Sequence, residues 1–143
     1  VKYIQYIASD LTQLNSDVVR AFKREFFFDE NPSLPEVVNG EVDFYAHCVT
    51  KLGVLQGVWE KVGNIQQVGN VNDILFRSSG DYGNPAIKIS HNWWLWTINN
   101  SQVRIGTLEG DNQKAEIGTV VPPKSIIYRM KNGKYPFSYP DFK

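Results

Sequence analysis

The sequence predicts an α+β domain, with one or two N-terminal helices packed on a C-terminal antiparallel β-sheet of about five to six short strands. Three observations carry that expectation. Apolar residues in the first half recur at helical spacing. Those in the second half fall in short runs bounded by turn residues. The two patterns do not interleave along the chain. At 143 residues the chain suits a single domain spanning 1–143, too short for two separate cores. With 42% hydrophobic and 21% charged residues, the composition is that of a globular protein rather than a disordered one.

Ser9 and Asp10 are good helix N-caps. After them Leu11, Leu14, Val18, Val19, Phe22 and Phe26 follow a helical rhythm, with Gln13, Arg20, Lys23 and Arg24 mostly on the other side. This spacing predicts a helix over Leu11–Phe26 that lays Leu14, Val18 and Phe22 on the sheet. Phe26-Phe27-Phe28 is apolar all round, so its far side must meet something, and the prolines up to Pro35 end the helix. Residues 41–62 support two readings. Val42, Tyr45, Val49, Leu52, Leu55, Val58, Trp59 and Val62 keep a helical period, while Val42, Phe44, Ala46 and Cys48 alternate like a strand. The longer period favours helix, although Gly53 and Gly57 each weaken it by about 1 kcal/mol relative to alanine.

From Asn70 onward the pattern is β. Ile74–Arg77, Ala86–Ile89, Trp93–Ile98, Val103–Leu108, Ile117–Val121 and Ser125–Met130 are runs of strand length. Gly80–Pro85, Asn99–Ser101, Glu109–Asn112 and Pro122-Pro123 supply turn chemistry between them. Asn132-Gly133 is the strongest hairpin signal, because a type I′ turn needs positive φ at both central positions. Pro136 and Pro140 confine a last strand to an edge.

Function is less legible. The run His91-Asn92-Trp93-Trp94-Leu95-Trp96 holds three of the four tryptophans. A strand shows its faces alternately, so it cannot put all three indoles on one side. Either both faces are covered by protein, or an indole meets solvent or a partner. The second reading makes Trp93, Trp94 and Trp96, with Tyr82 and His91 from neighbouring turns, a binding surface. The first makes the indoles core.

His91 and His47 lie 44 positions apart. Paired histidines with a cationic neighbour run phosphodiester chemistry, and Arg77, Lys88 and Arg104 are the candidate clamps. Two fragments resemble the cholera-toxin-like ADP-ribosyltransferases. Asp73–Arg77 is similar to their first strand with its NAD-binding arginine, and Glu116–Pro123 to their last catalytic strand. The likeness covers about a tenth of the chain. Lys114 stands where those enzymes carry a second acidic or amide residue, and no Ser-Thr-Ser strand intervenes. The 39 positions from Arg77 to Glu116 are too few for the intervening half of that fold. The likeness is therefore read as coincidence.

No phosphate loop, nucleophile elbow or metal motif is present, and the single Cys48 excludes an intrachain disulfide. No cofactor or metal is expected. Fifteen basic and fifteen acidic side chains cancel, which disfavours nucleic acid as partner, although a local patch would survive a neutral total. No apolar run approaches bilayer-spanning length and no leader pattern is visible, so a reducing, cytoplasmic setting away from membranes is expected. The expectation is a small binding protein that recognises another macromolecule, of inhibitor or immunity type, rather than an enzyme. The alternative is a small, toxin-like nuclease or transferase using His91 with Arg77 or Glu116.

Overall fold

The computed structural model describes residues 1–143 and is α+β, with two sheets and three short helices. The first sheet is antiparallel, in the order β1 (Ile4–Asp10), β2 (Ser16–Phe22) and β3 (Val42–Cys48). Four strands make the second, in the order β6 (Val103–Gly106), β5 (Trp93–Thr97), β4 (Leu75–Ser79) and β7 (Glu116–Ile117). Its pairings are antiparallel except that β7 runs parallel to β4. The helices are α1 (Leu34–Val38), α2 (Thr50–Leu55) and α3 (Pro123–Asn132).

The helix expected over Leu11–Phe26 is absent, and strands open the chain. Residues 11–15 are a turn, with Asn15 at φ 44°, and Ser16–Phe22 is the central strand of the first sheet. The misreading has a physical cause. Val18 packs toward the second sheet, while Val19 and Ala21 pack toward α3. A strand buried on both faces loses the alternation that identifies strands, and its apolar run imitates a helix. Residues 41–62 divide between both readings: β3 holds the alternating half, α2 part of the helical half. Gly53 lets the Trp59 indole lie directly on α2, from which Trp59 Nε1 donates to the Thr50 carbonyl at 3.0 Å.

Two C-terminal expectations also change. Ser125–Met130 lies within α3, not a strand. Proline occupies its first turn, where a missing N–H costs nothing, and its Ile126 is buried with Met130 against the first sheet. Gly133 has the expected positive φ, 79°, but as the left-handed cap ending α3 rather than a hairpin turn. Residues 133–143 form a tail with one isolated bridge, Ile89 to Asp141, rather than an edge strand. Ala86–Ile89 is likewise loop, and the Ile117–Val121 run contributes only the two-residue β7 and a bridge from Val120 to His47.

The layers follow from face alternation. One face of the first sheet (Val19, Ala21, Phe44, Ala46, Cys48) packs on Val121, Ile126 and Tyr135 from α3 and its flanks. The other meets the second sheet through Ile7 and Val18 against Phe76, Trp96 and Ile98. Beyond that, Trp93 and Leu95 are covered by Leu108, Ala115, Tyr139 and Phe142.

A polar hub ties the two sheets. The fully buried Asp10 carboxylate accepts from His47 Nε2 at 2.9 Å, Trp96 Nε1 at 3.0 Å, the Asn99 amide at 3.2 Å, and both the hydroxyl and the amide of Thr12. Burial pushes this carboxyl up. The bonds from His47, Asn99, Trp96 and Thr12 outweigh it and hold the carboxyl below its usual range. Burial depresses the His47 pKa against the opposing pull of Asp10. His47 is therefore neutral at pH 7, with its proton on Nε2. Arg20, also buried, donates to the Val38 and Gln67 carbonyls and to Gln5, and so pins the irregular segment after α2 onto β1 and β2.

Removing the hub carboxylate by Asp10→Ala leaves several buried donors unpaired and should cost about 3–5 kcal/mol in urea denaturation. The hub also sets an acid limit. Unfolded His47 takes up a proton near pH 6.5 whereas the folded side chain resists it, so its contribution is intact above pH ~6.5 and is lost as pH falls toward the depressed folded value. Asp10 adds a second loss below about pH 4. The melting temperature should fall from pH 7.5 to 5.5, and His47→Gln should flatten that slope.

Two glycines separate conformational from packing strain. A methyl on Gly133 meets open space, so Gly133→Ala should cost only the left-handed penalty of about 1 kcal/mol. A methyl on Gly118 would overlap the Trp96 ring and lie 3.0 Å from the Arg77 carbonyl, so Gly118→Ala should cost more.

Candidate functional site

The outer face of the second sheet carries Leu75, Arg77 and Ser79 of β4 beside Trp93 and Leu95 of β5. Opposite them the tail crosses from the α3 side of the molecule. Tyr135 packs on Phe44 in the first core, Phe137 stacks on Tyr135, and Tyr139 and Phe142 reach the second sheet. Backbone bonds between Asp141 and Lys88, and between Ser90 and Asp141, clip the far end of the tail to the loop before β5. Between tail, loop and β7 lies an open cleft of about 1110 Å³.

Arg77 is its most informative residue. Its guanidinium lies 5.0 Å from the ring centroids of both Trp93 and Phe142, and Nε donates to the Ala115 carbonyl at 3.0 Å. It forms no ion pair, and its buried Nη1 has no hydrogen-bond partner. Burial pulls its pKa down, but a guanidinium stays charged at neutral pH. Arg129 behaves differently. It makes two bonds to Glu116, at 2.9 and 3.3 Å, which bind α3 to β7, while its guanidinium lies 4.1 Å over the Phe44 ring. Burial works against the Arg129 charge, yet Glu116 holds its pKa above the usual value. Tyr135, also lining the cleft, is buried with its hydroxyl beside Arg129 but without a well-formed hydrogen bond, and burial pushes its pKa up to about 12.

Three buried side-chain polar atoms in the protein lack a partner, and two of them, Arg77 Nη1 and Tyr135 Oη, belong to residues lining this cleft. Such groups are rare because each costs about 1–3 kcal/mol. The third, His47 Nδ1, is sealed in the hub. The cleft also breaks the neutral charge balance. Arg77, Lys88, Lys114, Arg129 and Lys134 line it against only Glu116 and Asp141. Its aromatic walls are a Tyr82–Tyr139 stack, centroids 4.7 Å apart, and a Tyr135–Phe137 stack at 4.8 Å.

The tryptophan run resolves by the covering of both faces. Trp93 is 0% and Trp96 3% exposed, so neither offers a binding surface; Trp94 is half-buried. Trp93 Nε1 donates to the Ser90 carbonyl and Trp96 Nε1 to Asp10, as buried indoles require. Tyr82 is exposed and lines the cleft. His91 is exposed beside Thr107, 3.4 Å from its hydroxyl, and does not line the cleft. The structure thus brings Arg77 and Glu116 together on neighbouring strands but leaves His91 apart from both. The two histidines do not meet, since His47 is fully buried between the sheets. Arg104 bonds Asn92 rather than joining Arg77, whereas Lys88 does share its cleft.

Sequence reasoning missed Arg129, Tyr135, Phe137 and Tyr139. The alternating aromatics of the tail were a visible signal, but only as a strand pattern. No three His, Cys, Asp or Glu side chains gather in a metal-ligating arrangement, and no helix is long and apolar enough to cross a membrane. No protein family, curated protein or solved structure matches the chain.

Glu116 offsets part of the cleft's positive charge. Glu116→Gln should therefore tighten anion binding severalfold at low ionic strength, with the gain shrinking as salt rises, when measured by calorimetry at two salt concentrations.

Proposed function

We propose that the chain is a binding protein whose recognition element is the Arg77 cleft, and that it takes an anionic group of its ligand or partner there. The observation that carries this reading is Arg77 itself: a charged, partly buried guanidinium that makes no direct ion pair, one of whose nitrogens is unpaired, with Glu116 and Asp141 acting on it only from a distance. Arg129 has Glu116, and the buried Arg20 is satisfied by the Gln5 side chain and two carbonyls, whereas Arg77 has one carbonyl bond. A phosphate or carboxylate in the cleft would supply the Arg77 guanidinium with the anionic acceptor it lacks, through a charge-assisted bond. The toxin-like alternative using His91 has little support, because an acid or base must lie within hydrogen-bond reach of the reacting group and His91 is outside the cleft.

A protein partner of inhibitor or immunity type draws support from exposed apolar side chains outside the cleft. Phe27 and Phe28 are 78% and 94% exposed, and Leu52, Val54 and Leu55 are exposed on α2. In that reading Phe28→Ser lowers partner affinity without lowering the melting temperature.

Titration calorimetry with phosphate, pyrophosphate and acetate tests the main proposal. Saturable binding of an anion is expected, weakened more than tenfold by Arg77→Gln and less by Arg77→Lys, with both variants folded by circular dichroism. Anion binding of equal strength in Arg77→Gln, or none in the parent chain, would remove it.

A further inference from the structure

Charge alone does not account for the cleft. Its cations stand among aromatic rings, of which Tyr82 is exposed and Phe137 half-buried. Tyr82 is half exposed and is backed by Tyr139, which is itself fixed by accepting the Ser79 amide at 3.1 Å and by packing against Trp93. Phe137 is half-buried and backed by Tyr135 in the same manner. An exposed ring braced from behind by a second ring is a preformed stacking platform. It loses little side-chain freedom when a third ring is laid on it. An acidic peptide needs the cations but not the platforms; a plain inorganic anion needs neither platforms nor so large a cleft.

We infer that the ligand of the cleft is a nucleoside phosphate, its base stacked on Tyr82 or Phe137 and its phosphate at Arg77. The inference rests on the anion-binding reading above and narrows it. The parts match the chemistry. A base is a flat ring with a π-face that stacks on aromatics whatever its identity, and a phosphate is an anionic acceptor suited to a guanidinium. Asn84 and Ser138, also in the lining, supply polar groups for the sugar or base edges. The open cleft, about 1110 Å³, is large enough to admit a nucleotide. The same chemistry is carried by a free nucleotide and by a single strand of nucleic acid. The zero net charge of the chain is no obstacle, because the basic groups are gathered locally.

The experiment is a calorimetric series on the full chain at fixed low salt. Its ligands are inorganic phosphate, ribose 5-phosphate, the four nucleoside monophosphates, a pentanucleotide and a poly-glutamate peptide. Expected is binding of a nucleoside monophosphate about tenfold tighter than ribose 5-phosphate, the stacking contribution of one base. Tyr82→Ala or Phe137→Ala should erase that margin while leaving phosphate affinity unchanged, and Arg77→Gln should weaken both ligands. Tyr82 is exposed, so its variant should keep the parent melting temperature and report binding alone. A pentanucleotide that binds tighter than the monophosphates supports the inference with a single strand as source. Equal affinity supports it with the free nucleotide as source. If phosphate, ribose 5-phosphate and nucleotides bind alike, the nucleoside inference is overturned while the anion-binding cleft stands. Tighter binding of poly-glutamate than of any nucleotide also overturns it, in favour of an acidic protein partner. If no anion binds, both proposals fall together.

Discussion

The Asp10 carboxylate is the constraint on which the two-sheet arrangement turns. It stands at the end of β1 and accepts from His47 on β3, Trp96 on β5 and the amide of Asn99 just after β5. Its donors therefore come from both sheets, and the bonds fix how the sheets face each other. Apolar packing alone is tolerant of small slides, because Phe76, Trp96 and Ile98 would bury nearly as much area a little out of place. A buried carboxylate is not tolerant, since every lost donor leaves a charge without compensation in a poorly polarisable interior. The hub confers register, and its cost is one unsatisfied imidazole nitrogen and a stability that depends on pH.

The C-terminal tail turns a sandwich into a site. Without Tyr139 and Phe142, the outer face of Trp93 would be open to water. With them, the tail is anchored at both ends and spans a cleft between. Its aromatic residues serve two purposes at once, covering the sheet and walling the cavity. Arg77 follows from the same geometry. It projects from the covered face of β4 and is held by two rings and one carbonyl, which desolvate it without neutralising it. The adjacent Arg129 shows the contrasting solution, a guanidinium satisfied by Glu116 and used to join α3 to β7. Arg129 is thus paired within the fold, while Arg77 makes no direct ion pair.

The α+β class, the strands at residues 75–79, 93–97 and 103–106 and the positive φ of Gly133 were legible in the sequence, because each depends on local chemistry: β-branched and aromatic runs, turn residues between them, and a glycine free of the Cβ clash. The opening strands were not, because β2 is apolar on both faces and carries no two-residue period. The C-terminal helix was not, because its Ile126-Ile127 pair favours a strand locally and only its packing on the first sheet makes it a helix. The site was half legible. Arg77, Glu116 and Tyr82 were singled out; Arg129, Tyr135 and Tyr139 were not; and His91 was assigned a place it does not occupy.

By itself, then, the sequence determined the mixed α+β class, and posed the choice between two covered faces and an exposed indole in the tryptophan run. These follow from composition and alternation, which act over a few residues. Tertiary structure alone decided that Trp93 and Trp96 are core, that the two histidines are apart, and that Arg77 makes no direct ion pair while Arg129 makes one. Burial and pairing are properties of what lies across a contact, and partners here lie far apart along the chain, 89 positions in the bond from Asn99 to Asp10. No local pattern encodes such a distance, so an arginine held in a salt bridge and one without an ion pair look alike until the chain is folded.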